Sequence, residues 1–152
     1  MDQAVTVVSY GAIRTPSNLS LAERLQLIHG ELSAIIEHYH PAEASVEELF
    51  FARNARTALA VGHARGVILF ALAQAGVGVF EYTPLQVKQA ITGYGRATKE
   101  QMQEMVRLLL GLEVVPQPDD VADALAVAVC HAHTSPMRLR LADAVSGIGD
   151  RR

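Results

Sequence analysis

Two short β-prone runs enclose one long apolar helix, and this arrangement constrains the fold more than any other feature of the chain. EASVEEL occupies residues 43–49 and GVGVFEY residues 76–82. Between them NARTALAVGHARGVILFALAQAG begins near Asn54 and ends at Gly76. Two strands joined by a helical crossover of this length can lie parallel, whereas a tight hairpin would force them antiparallel. The helix must then cover one face of the sheet that the strands form, which predicts an α/β domain with helices packed on a sheet.

The rest of the pattern extends that reading. Residues 4–14, AVTVVSYGAIR, are rich in β-branched side chains and predict a further strand, with TPSNLS as the turn that follows. SLAERLQLIHGELSAIIEHY places Leu21, Leu25, Ile28, Leu32, Ile35 and Ile36 on one helical stripe. Ser20 or Asn18 can cap that helix and Pro41 stops it. Pro84 suits the first turn of a short helix, TPLQVKQAITG. Thr98 and Gln101 match a capping box for the helix KEQMQEMVRLLL, which ends at Gly111. Asp119 or Asp120 opens a last long helix to about His133, and residues 136–152 read as a flexible tail after a domain spanning 1–135.

Composition narrows the class. The chain has 152 residues, half of them hydrophobic and 19% charged, which suits one globular domain. Cys130 is the single cysteine, so no internal disulfide forms and a reducing, cytoplasmic setting is expected. The N-terminus lacks the basic and apolar regions of a signal peptide. The most apolar run, GVILFALAQAGVGVF, is short and interrupted by Gln74 and glycines, so no membrane span is expected. A formal net charge of −3 argues mildly against nucleic-acid binding but does not exclude it. A protein that gathers carboxylates for metal ions carries its negative charge there and keeps its basic residues at the rim.

Asp120 and Asp123 stand three apart at the head of the last helix, which puts both on one face. Two like charges there are mutually unfavourable unless a cation neutralises them. Their oxygen donors suit magnesium or manganese, and two such ions can serve phosphodiester cleavage. Helix capping is the competing account for Asp119 and Asp120, and it fits Asp123 less well. Glu47 sits at a strand end beside a crossover, where α/β sheets place functional groups, and also fits a solvated edge glutamate. Phe50 or Phe51 can stack on a base. Arg53, Arg56 and Arg65 form one basic segment. Lys88 and Lys99 flank the loop carrying Tyr94 and Arg96, where they can hold phosphates. Cys130, His131 and His133 lack the paired partners of a structural zinc site.

Three runs taken in order, VEELFFARNARTALAVGHARGV, VFEYTPLQVKQAITGYGRATKEQMQEMVRLLL and DDVADALAVAVCHAH, resemble the bacterial Holliday-junction resolvases of the crossover junction endodeoxyribonuclease RuvC family. The resemblance implies an RNase H-like mixed sheet flanked by helices. It implies a homodimer that nicks four-way DNA junctions with two magnesium ions, and a branch-migration motor as partner. By position Glu47, Asp120 and Asp123 resemble metal-site carboxylates, and Phe50 resembles an aromatic that stacks on a junction base. Lys88 and Lys99 resemble backbone contacts, with Arg53 and Arg96 beside them on the DNA side. The helix from Asn54 resembles the family's dimer helix. The family's opening strand, with its GIDPG-like aspartate, and the strand after it have no counterpart here. The expected fold is therefore an N-terminally truncated one, and the alternatives to a working nuclease are a junction-binding module impaired in cutting or a non-enzymatic dimeric interaction protein.

Overall fold

The structure, a computed structural model, describes residues 4–48 and 55–149, with side-chain surroundings through residue 135. The described elements run α1 (Leu21–Tyr39), β1 (Glu43–Glu47), α2 (Ala55–Gln74), β2 (Gly78–Tyr82), α3 (Pro84–Thr92), α4 (Lys99–Leu110) and α5 (Asp119–Gly149). They form two compact units, one spanning Gly11–Thr83 and the other joining Met1–Tyr10 to Pro84–Arg152.

The first unit is the predicted crossover. β1 and β2 pair in parallel, with Glu43 opposite Gly78 and Glu47 opposite Tyr82. The pleat sends alternate side chains to opposite faces. Ala44 and Val46 therefore turn toward a core of Ile36, Ala71, Leu72 and Val77, to which Leu32, Ile68 and Val79 also contribute. Ser45 and Glu47 take the other face.

α1 enters that core on well-made ends. Ser20 Oγ accepts from Glu23 N at 3.2 Å, and the Glu23 carboxylate accepts from Ser20 N at 2.8 Å, completing a reciprocal cap. At its other end His40 adopts a left-handed conformation and donates its N–H to Ile36 O. Leu21 and Ile35, predicted on the buried stripe, stand 46% and 45% exposed.

The second unit packs α3, α4 and α5 against one another. Its buried residues recur at helical spacing: Val87 and Ile91 on α3, and Ala122, Ala126, Val129 and Cys130 on α5. Val106 of α4 completes the group at 1% exposure. Thr98 and Gln101 form the predicted capping box of α4. Gly111 ends that helix at φ +64°, a conformation that disfavours any side chain.

Three expectations are corrected. Residues 4–20 contain no strand, because an extended run becomes one only when a neighbour takes its backbone hydrogen bonds, and none does among the described residues. Residues 5–10 instead border an open cleft of about 570 Å³ with Leu110 and Leu112. The described sheet thus has two strands. The last helix does not stop near His133 but continues through Pro136 to Gly149. Lastly, the apolar run is longer than expected: α2 is long and apolar enough to cross a bilayer by length and composition alone, which is weak evidence of a span, with a mean hydropathy of 1.3. Within the fold, Arg65 near its middle forms an ion pair with Glu81 of β2, which ties the helix to the sheet.

Candidate functional site

α5 begins immediately after a cis Gln117–Pro118 bond and opens with two aspartates, both exposed. Asp123 follows one turn later on the same side. Acidic residues in a first turn are favoured by the positive end of the helix dipole, and this accounts locally for Asp119 and Asp120.

α4 brings a lysine to the same place. Lys99 is the first residue of α4, and its Nζ donates to Asp119 Oδ2 at 2.9 Å. Gln103, one turn along α4, donates from Nε2 to Asp119 Oδ1 at 3.2 Å. The hydrogen bond from Lys99, and then its charge, hold the Asp119 carboxyl below the ordinary aspartate value. Reciprocally, Lys99 is held above the ordinary lysine value, first by the bond to Asp119 and then by its charge, with smaller contributions from Asp123 and Asp120.

Asp123 moves the other way. Partial desolvation of its carboxyl pushes its value up, even though the residue as a whole is exposed. The Lys99 charge opposes this shift, and the charges of Asp120 and Asp119 add to it. Asp120 and Asp123 put two hard oxygen donors on one side of α5, the donor type that magnesium or manganese takes. Among the described residues, no group of three or more histidine, cysteine, aspartate or glutamate side chains stands close enough together to hold one.

The remaining predicted residues are spread over the chain. Glu47 is exposed at the end of β1, in the unit that does not contain α5. Phe50 and Arg53 lie outside the described residues. Lys88 is half-buried on α3, and Arg96 is exposed in the loop between α3 and α4.

That loop is pinned in several places. Thr92 Oγ1 donates to Lys88 O at 2.7 Å, while Tyr94 Oη donates to Gln101 Oε1 at 2.8 Å. Gly95 lies so close to the Leu85 side chain that a Cβ there would displace it. Sequence reasoning assigned Asp119 to capping alone and overlooked Gln103. The available signal was Lys99 itself, a cation placed at the helix end where the dipole disfavours it.

α2 shows a further surface. Added Cβ atoms at Gly62 and Gly66 would meet nothing within 4 Å. The two glycines line an open groove with His29, His63, Val67 and Phe70. Phe70 is 59% exposed.

Comparison with known proteins gives one consistent answer. The family model described as crossover junction endodeoxyribonuclease RuvC matches residues 1–131. The chain is 58% identical over 140 residues to the crossover junction endodeoxyribonuclease RuvC of Roseiflexus sp. (strain RS-1), covering 92% of this chain and 83% of that protein. It is 62% identical over 130 residues to the protein of the same name from Heliobacterium modesticaldum, covering 86% and 80%. A solved structure of Thermus thermophilus RuvC in complex with a Holliday junction substrate superposes with a TM-score of 0.78 at 42% identity, covering 82% of this chain and 76% of that one.

Proposed function

The chain belongs to the crossover junction endodeoxyribonuclease RuvC family of structure-selective endonucleases, and from that premise we propose that its described residues act first as a module that binds four-way DNA junctions and is impaired in cutting them. The observation that carries this reading is the ion pair at the head of α5. Asp119, the neighbour of the carboxylates Asp120 and Asp123 that would hold a metal ion, already has a cation, with Lys99 held 2.9 Å away. A divalent ion must compete with that neutralisation. Binding needs only cations and stacking surfaces. Lys88, Arg96 and Lys99 supply the cations from one unit, with Phe50 and Arg53 as further contacts. The solved relative in complex with a Holliday junction substrate supports a junction as the ligand.

A second reading, full magnesium-dependent nicking, is favoured by the spacing of Asp120 and Asp123, which puts two carboxylates on one face of α5. In that case Asp120 and Asp123 would hold magnesium or manganese, and Glu47 keeps the metal-site role that the family resemblance implies. When bound, the metal supplies Lewis-acid stabilisation of the scissile phosphate and an activated water, with a 3′-hydroxyl and a 5′-phosphate as products. Lys99 would then contact the DNA backbone, and the α5 carboxylates would hold the ion.

The homodimer is proposed through α2. The open Gly62 and Gly66 positions and the exposed Phe70 give a surface on which a second copy can pack closely. The setting is cytoplasmic, and a branch-migration motor is a further partner.

One preparation tests the two readings together. Binding of a synthetic four-way junction is measured in EDTA, and nicking of the same junction is measured in magnesium. Tight junction binding with slow nicking is the expected result. Rapid cutting of every bound junction would establish the second reading in place of the first.

A further inference from the structure

Asp119 is gripped at two points by one face of α4. Lys99 and Gln103 are four residues apart, so their side chains stand one above the other, and each bonds a different oxygen of the same carboxylate. This is more than a helix cap requires. An aspartate in the first turn of α5 would favour the dipole with both oxygens in water.

The lysine, for its part, needs holding. It sits at the N-terminal end of α4, where positive charge is repelled by the dipole, on a flexible stem that loses considerable rotamer freedom when fixed. Asp119 opposes both effects and keeps the ammonium over the start of α5, within reach of the charges of Asp120 and Asp123. An ammonium has three donors. One is given to Asp119, and two remain for an incoming phosphate.

We infer that Asp119 is a positioning residue: with Gln103 fixing its carboxylate, it holds the Lys99 ammonium where α4 and α5 meet, so that the backbone of a DNA junction meets a fixed cation. Asp119 itself touches neither DNA nor metal in this role. The inference rests on the reading of Lys99 as a junction contact, and the experiment separates the two.

Four forms of the full chain are compared: the unaltered protein, D119N, K99M and the double variant. The first readout needs no DNA: labelling of Lys99 by an amine-reactive reagent, followed by peptide mass spectrometry. The second is the equilibrium binding of a synthetic four-way junction in EDTA. D119N is expected to expose Lys99 to the reagent and to weaken junction binding by about two- to fivefold, the scale of an exposed ion pair. In the K99M background the same substitution is expected to change nothing further.

Unchanged Lys99 labelling in D119N would overturn the inference. So would an equal loss of binding with and without Lys99, because that is the signature of a helix-dipole role. If D119N exposes Lys99 but K99M binds the junction as well as the unaltered protein, the reading of Lys99 as a DNA contact fails, and the role of Asp119 in binding falls with it.

Discussion

Replacing Asp123 by asparagine should stabilise the metal-free protein and remove its response to magnesium. Asp123 faces two like charges, Asp120 three residues back and Asp119 four back. Like-charge pairs at these helical spacings cost about 0.2–0.5 kcal/mol each. The charge of Lys99 repays part of this, and solvent screens the rest because the residue is exposed, so the net relief is about 0.3 kcal/mol. For a chain of this size that raises Tm by about 1 °C.

Magnesium reverses the order of the two proteins. At ten times its Kd, an ion that binds only the folded state adds about 1.4 kcal/mol, or about 3–6 °C. The unaltered protein should show that rise and D123N should not. Thermal unfolding of both proteins in EDTA and in magnesium is the assay. A variant less stable in EDTA would refute the like-charge argument. A variant that keeps the full magnesium shift would remove Asp123 from the metal site. In the nicking assay D123N should lose cutting and retain junction binding.

Three further outcomes follow from the same geometry. The carboxyl of Asp123 titrates above its ordinary value in the folded state, so its contribution to stability is present below the unfolded value and is lost as pH rises through the folded one. The stability advantage of D123N should therefore grow across that window, as measured by denaturant unfolding at a series of pH values. Val129 is 1% exposed in the core of the second unit, and V129A should cost about 2 kcal/mol in urea unfolding with junction contacts intact. Phe70 is exposed on the α2 groove, and F70D should shift a dimer toward monomer in light scattering while leaving Tm nearly unchanged. A dimer that survives F70D would move the pairing surface away from α2.

Most of the fold was legible because its signals are local. The parallel pairing of β1 and β2 follows from two short runs and the helix between them. The caps at Ser20 and Thr98 rest on side chains that bond their own backbone neighbours. The failures occur where the deciding partner is distant. Residues 4–14 have strand composition, yet a strand is a relation between two segments, and no local pattern shows whether the second is present. The segment from residue 136 reads as a tail, and α5 nevertheless continues past Pro136, which has no N–H to donate. At the site, the spacing of Asp120 and Asp123 was visible, whereas the pairing of Lys99 with Asp119 crosses between two helices and was not.

The ends of α4 and α5 each break a local rule, and each break is tolerable because of the other. Lys99 opposes the dipole of α4. Asp123 adds a third negative charge beside a pair that α5 had already placed well. Either helix alone would be improved by a neutral residue at that position. Together they place an ammonium among three carboxylates, with the charges within reach of one another. Stability does not require this arrangement, because surface ion pairs contribute little. Local conflicts that compensate one another across two elements tend to mark a functional surface. A junction offers phosphates, which would take the two donors that Asp119 leaves on Lys99, and a divalent ion would take Asp120 and Asp123. Each ligand brings charge opposite in sign to the other's, so metal and DNA should favour one another's binding at the head of α5.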